Sequence, residues 1–130
     1  NVDRAADART ALERSLKIKE QASGPQSITV AVTLTNLAAL ERAAKRPDRA
    51  LELDKRALII RERLLGPTHR DLAFNLTGMG EALLASKRAP EAVVTLERAL
   101  ALREQSEGDP ALLAATRASL AAARKALKAR

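Results

Sequence analysis

The sequence predicts an all-α fold, an α-solenoid of stacked antiparallel helix hairpins with six helices, and three observations carry that expectation. Ala, Leu, Arg and Glu dominate a chain that is 46% hydrophobic, 30% charged and only 1% aromatic. These are good helix formers, and the alternating Val, Ile, Thr and aromatic runs that mark strands are missing. The chain also repeats itself: Leu12–Glu20, Asp54–Glu62 and Leu96–Glu104 superimpose at a spacing of 42 residues,. Finally, each period contains two segments of helical apolar rhythm separated by Gly or Pro.

The register extends well beyond those phrases. Gly24, Gly66 and Gly108 share the interval, as do Ala8, Ala50 and Ala92, and the pairs Leu34 and Leu76, Leu37 and Met79, Ala38 and Gly80. Taken in order, the first helix is expected over about 3–22. The second, 27–45, carries Leu34, Leu37 and Leu40 and stops before Pro47, whose ring disfavours helix at the residue before it. The third, 48–65, turns Leu51, Leu58 and Ile60 inward and ends at Gly66-Pro67. Thr68 with Asp71 resembles a capping box for the fourth, 69–87. The fifth covers 90–106, and Asp109-Pro110 opens the sixth, 110–129, with Asp109 as N-cap and the proline in the first turn.

The connections are only a few residues long, so adjacent helices run antiparallel. Ala38, Ala50, Ala57, Gly80, Ala92 and Ala99 are small where the two helices of a hairpin should cross. A lone hairpin leaves an apolar side wet, so each must stack on its neighbour. The expected organisation is a single repeat domain over 1–130: the second helix of a truncated repeat (1–24), full repeats at 25–66 and 67–108, and the first helix of a truncated repeat (109–130). Beginning without Met and already in helical rhythm, the chain reads as an excerpt from something longer, and its open ends suggest missing neighbours or self-association.

Composition excludes several functions. There is no cysteine and one histidine, so disulfides, thiolate metal sites and most imidazole chemistry are out of reach,. No apolar run is long enough to cross a bilayer and the start lacks a leader pattern, so a cytoplasmic protein with no membrane partner is expected. The net charge of +7 is local: residues 110–130 hold Arg117, Arg124, Lys125, Lys128 and Arg130 with no acid. Cations at a helix C-terminus complement its dipole, which is the ordinary explanation; a docking patch for an acidic protein or nucleic acid is the alternative, weakened by the lack of aromatics to stack on bases.

No catalytic set emerges, and neither a cofactor nor a metal is expected. Gly78-Met79-Gly80 lies in a helical pattern, follows no strand and lacks the Lys-Ser/Thr of a phosphate loop. His69 sits in a turn with no second histidine to complete a site. Glu62, Glu104, Glu107 and Asp109 stand near arginines, where surface pairing is the default.

With the pattern laid out, Asn36-Leu37-Ala38, Ala50 and Ala57-Leu58, and again Met79-Gly80, Ala92 and Ala99-Leu100, resemble the tetratricopeptide repeat. The 42-residue period and the phrase Leu65–Ala73 resemble the longer variant of kinesin light chains and of bacterial regulatory proteins. Leu12, Leu83, Leu96 and the charged Glu41 stand where that family usually has interface aromatics. The resemblance implies a protein-interaction module whose first helices line a concave groove for an extended peptide or a helix, in a larger bacterial signalling or regulatory protein. It implies groove residues Val32, Thr35, Asn36, Ala39 and Arg42, then Phe74, Thr77, Gly78, Glu81 and Leu84, then Thr116, Ser119 and Ala123. Asn36 is the sharpest candidate, because an amide both donates to and accepts from a peptide backbone. Arg42 and Glu81 are expected to pair with ligand charges, and Phe74 either anchors an apolar ligand group or packs between hairpins. The positions of the co-chaperone carboxylate clamp hold Thr35, Ala39 and Gly78, so no such clamp is expected. The expected partner is a protein or peptide; nucleic acid is disfavoured, and self-association through the exposed ends stays open.

Overall fold

The computed structural model describes residues 2–129; Asn1 and Arg130, the last cation of the basic tail, lie outside them. Six helices follow one another among the described residues: α1 (Val2–Ser23), α2 (Ile28–Ala43), α3 (Pro47–Leu65), α4 (Leu72–Ala85), α5 (Ala89–Glu104) and α6 (Pro110–Lys128). None is long and apolar enough to cross a membrane.

Local chemistry sets most of the ends. Ser27 accepts from the Val30 N–H at the start of α2, and Asp109 accepts from the Ala111 N–H at the start of α6, each satisfying an orphan donor of the first turn. Pro47 stands in the first turn of α3. After α2 the Lys45 N–H reaches the Arg42 carbonyl and the Arg46 N–H the Glu41 carbonyl. This is a Schellman turn, which needs a left-handed residue. Lys45 supplies it at φ 61°, and Lys87, one period later, does so at the same angle.

One end departs from expectation. α4 begins at Leu72 rather than 69, and Thr68 caps nothing. The imidazole of His69 accepts the Asp71 N–H at 3.0 Å, and the His69 carbonyl accepts the Leu72 N–H. The histidine thus takes the donor nearest the turn and holds the chain out of the helix for three residues.

The helices pack as antiparallel neighbours, α2 on α3 and α4 on α5, with α3 also packed on α4 and α5 on α6. Ala38, Ala50, Ala57, Ala92 and Ala99 are fully buried at the crossings. A Cβ at Gly80 would run into the Leu96 side chain, so the missing side chain lets α4 approach α5. The backbone of α2 also comes close to that of α4, and α4 to α6, whereas α1, α3 and α5 stay farther apart and meet through long side chains, Arg56 with Glu20 at 3.2 Å and Arg98 with Glu62 at 2.7 Å. A two-layer stack that is close on one side and splayed on the other bends toward the close side, so α2, α4 and α6 form the concave layer.

The core has two apolar clusters. One joins α2 to one side of α3 through Val30, Leu34, Leu37, Leu53 and Ile60. The other gathers Leu51 and Leu58 with Leu72, Leu76, Leu83, Leu96 and Leu120. Glu41, expected as a charged intrusion at an aromatic position, is buried with two cations, Arg9 Nε at 2.6 Å and Arg46 Nη1 at 3.0 Å.

Candidate functional site

The concave layer presents some of the expected groove residues and withholds others. Val32, Asn36 and Ala39 of α2 are exposed, with Thr35 and Arg42 half-buried; Phe74 and Glu81 of α4 are exposed, with Thr77 and Leu84 half-buried; Ser119 of α6 is half-buried. Gly78, Thr116 and Ala123 are buried and offer a ligand no surface. For Gly78 the reason is crowding: a Cβ there would strike Arg42 and Asp54.

For α6 the reason lies in its leucines. Strict repetition would turn Ala114, Ala118 and Ala121 inward, the counterparts of Leu72, Leu76 and Met79, but all three are exposed. The helix instead buries Thr116, Leu120 and Ala123, with Leu113 half-buried one turn earlier. Burying leucine removes more apolar area than burying alanine, so α6 takes the orientation its leucines dictate. Arg117, the counterpart of Asn75, is left in solvent.

Arg42 and Glu81 also depart from expectation, because they pair with each other at 3.4 Å. Arg42 Nη1 further donates to Asp54 Oδ2 at 2.6 Å. This opens a network behind the groove. Asn75 Nδ2 donates to Asp54 Oδ1 at 2.8 Å and to Thr35 Oγ1 at 3.0 Å, and Arg61 Nη1 donates to Asn75 Oδ1 at 2.6 Å. Asp54 and Asn75 are both 0% exposed. Burial pushes the Asp54 carboxyl up to about 6, against the Asn75 hydrogen bond and the Arg42 charge, which pull it down. Burial likewise draws Arg61 below the usual guanidinium value, opposed by the charges of Asp71 and Asp54.

The network belongs to a recurring joint. A cation near the end of each second helix faces a residue fourteen places on, in the next first helix: Lys19 Nζ donates to Thr33 Oγ1 at 2.8 Å, and Arg61 to Asn75. At the third joint Arg103 is matched in register by the outward Arg117. Among the described residues, two buried side-chain polar atoms lack a hydrogen-bond partner, Arg103 Nε and Thr77 Oγ1. They are the counterparts of Arg61 and Thr35, the two groups that Asn75 joins. Arg103 instead lies over the Phe74 ring, 5.1 Å from its centre, and burial lowers its pKa with Asp109 opposing.

Three hollows open on these elements. Arg42, Lys45 and Glu81 line one of about 520 Å³ between α2 and α4; Glu81, Leu84 and Ser119 line one of about 470 Å³ between α4 and α6. A third, of about 300 Å³, lies where α4 and α6 begin and α5 ends, and includes Phe74, which is 44% exposed. The groove candidates are thus divided among separate places, and Asn36 lines none of these three.

Comparison with known proteins decides the family. The sequence model described as tetratricopeptide repeat matches residues 2–58 and again 29–105. The chain belongs to the tetratricopeptide repeat family. Among solved structures, BtubC (BKLC) from P. vanneervenii is similar, with a TM-score of 0.89 and 29% identity over 97% of this chain and 51% of that one. This chain therefore spans about half of that protein's length, and the likeness marks a tetratricopeptide protein of the kinesin-light-chain-like type. No curated protein matches significantly. Tetratricopeptide repeats generally mediate protein–protein interaction and are typically scaffolds rather than enzymes.

Sequence reasoning missed Asp54, Arg61, Asn75 and Arg103. The signal was present in the repeat itself: Asp54 stands where Leu12 and Leu96 stand, and Asn75 where Thr33 and Arg117 stand. Attention to what the repeats share passes over the positions where they differ.

Proposed function

We propose that the chain is a protein- or peptide-binding module that holds its ligand along the concave face of α2, α4 and α6. In this reading it is one repeat domain, with full repeats at 25–66 and 67–108 between a second helix (1–24) and a first helix (109–130), in a larger bacterial signalling or regulatory protein of the cytoplasm. The observation that carries the reading is the row of exposed groups on the close-packed layer, Val32, Asn36, Ala39, Phe74 and Glu81, in a family that serves protein interaction. Asn36 holds an extended peptide backbone through its amide, and Phe74 supplies apolar contact. Arg42 orients Glu81 instead of meeting the ligand itself.

The test is selection of peptides from a displayed random library, followed by affinity measurement on variants. Asn36→Ala with Phe74→Ala should weaken selected peptides at least tenfold. Ile59→Ser and Val94→Ser, which change exposed apolar residues on the splayed layer, should leave them unchanged. Equal loss from both pairs, or none from the concave pair, overturns the reading.

A second reading, docking of an acidic partner or nucleic acid on α6, is favoured by one observation: Arg124 meets Glu97 at 3.6 Å, while Arg117, Lys125 and Lys128 have no ion-pair partner among the described residues. It requires binding to mixed oligonucleotides or acidic peptides that falls steeply with salt; no binding at low ionic strength ends it.

A further inference from the structure

The third joint leaves a half-buried cation, its Nε enclosed, without the two groups that serve its counterpart one period earlier. Arg61 has the Asn75 amide and, through it, the Asp54 carboxylate. The counterparts of those residues beside Arg103 are Arg117, which points to solvent, and Leu96, which is apolar and fully buried. No side-chain or main-chain acceptor takes up this guanidinium among the described residues, and its Nε is sealed from solvent. Phe74 covers one face of the group, which leaves its edges for hydrogen bonding.

That side chain borders the hollow of about 300 Å³, with Arg70, Phe74, Ser106, Leu112 and Leu113. Two acids, Asp71 and Asp109, also border it. Asp109 is occupied by the first turn of α6, accepting the Ala111 N–H at 2.8 Å, and Asp71 lies 3.9 Å from the His69 imidazole. Arg70 is tied at 3.0 Å to the Glu107 carbonyl, so the cation able to change partners is Arg103. An aromatic ring and two leucines around a guanidinium that has the Asp109 charge nearby but makes no hydrogen bond among the described residues suit a group with an apolar stem and an anionic tip, because hydrogen bonds between ionised groups are the strong ones,.

We propose that this hollow receives a carboxylate of a protein partner, carried on an apolar stem that packs against Phe74, Leu112 and Leu113, with Arg103 as its counter-charge. The carboxylate comes from an acidic side chain or from a chain end, since both offer the same two oxygens. The site lies apart from Thr35, Ala39 and Gly78, where a co-chaperone clamp would sit, and it uses a residue of a second helix. This deepens the reading of the chain as a peptide-binding module. Small acids probe it without needing the groove, so their failure leaves that reading standing, and loss of peptide capture at the concave face leaves this one.

The test is a titration by nuclear magnetic resonance that follows the Arg103 Nε–H and the Phe74 ring. The probes are N-acetyl-leucine, which mimics a chain end, and the α-amide of N-acetyl-glutamate, which mimics an acidic side chain. N-acetyl-leucinamide is the neutral control. Saturable shifts at these two residues by either acid, at least tenfold tighter than by the control, support the proposal and identify the source of the carboxylate. No saturable shift with either acid, or equal binding of the control, overturns it. Arg103→Gln should abolish the Phe74 shift. Should that variant fail to fold, Leu113→Glu tests the same point by supplying a carboxylate from α6: it should block the acids and raise the thermal midpoint, and undiminished binding of the acids would overturn the proposal.

Discussion

The joint between α3 and α4 and the joint between α5 and α6 carry an arginine at the same place in the repeat, yet they surround it differently, burying Arg61 and half-burying Arg103. At the first, Arg61 is bound to an amide that is itself bound to a carboxylate and a hydroxyl, so four side chains from three helices complete one another. At the second, Arg103 lies on an aromatic ring, with its Nε and the nearby Thr77 hydroxyl unpaired. The two joints diverge because a repeat aligns positions in sequence, whereas the orientation of a helix follows its own apolar stripe. α4 turns Asn75 inward beside Leu72, Leu76 and Met79. α6 has leucines at 113 and 120 and alanines at the repeat positions, so it turns those leucines in and Arg117 out.

The largest effect expected from this contrast is at Asn75. Asn75→Leu keeps the number and branching of the side-chain heavy atoms but removes the acceptor for Arg61 and the donor to Asp54 and Thr35. Stripping a partner from buried charges costs about 3 kcal/mol or more, so the urea midpoint should fall far, with the slope of the transition little changed. A loss below about 1 kcal/mol would mean that these groups go unpaired at as little cost as Arg103 Nε and the Thr77 hydroxyl do at the third joint, and the comparison would break.

How much of this was legible beforehand follows from the same physics. All six helices could be read, because apolar spacing, Pro47, Gly66 and Asp109 act locally and the 42-residue period reinforces them. The crossing residues could be read too, since Ala38, Gly80 and Ala99 are small for a steric reason that each period restates. The start of α4 was misplaced because an imidazole reached the Asp71 N–H, a contact that composition does not announce. Thr116 and Ala123 were misplaced by carrying the groove pattern into a helix whose leucines had shifted. Arg42 and Glu81 were legible as charges and illegible as partners, since pairing across α2 and α4 depends on how closely those helices approach.

A second expectation sharpens the contrast through pH. The unfolded value for an aspartate is about 3.9, and Asp54 in the folded chain is pushed up to about 6. Between those values the folded protein holds a proton that the unfolded chain has released. Stability therefore falls as pH rises from about 4 to 6 on account of this group, and the deficit persists at pH 7. Measured against Asp54→Asn, which removes the titration, the natural chain should gain about 2 kcal/mol on going from pH 7 to pH 4. Leu96 holds the corresponding place at the next period, so no such dependence arises there. A difference between the two proteins that is flat with pH would show that Arg42 and Asn75 fully offset the burial of the carboxylate.

The smallest expected effect bears most directly on why the joints differ. Arg117→Asn restores, in sequence register, the amide that completes the second joint. If register governed, that amide would meet Arg103 and Thr77, and two buried orphans would be satisfied at a gain of about 1 kcal/mol or more. The leucines argue otherwise: rolling α6 to bring position 117 inward would carry Leu113 and Leu120 toward water and bring alanines in their place, at a cost of more than one hydrogen bond's net worth. Stability should therefore change by less than about 0.5 kcal/mol, and the Arg103 Nε–H resonance should stay where it is. A clear gain accompanied by a shifted resonance would show that α6 rolls readily, and that the third joint is held open by one charged side chain instead of by the apolar stripe of its helix.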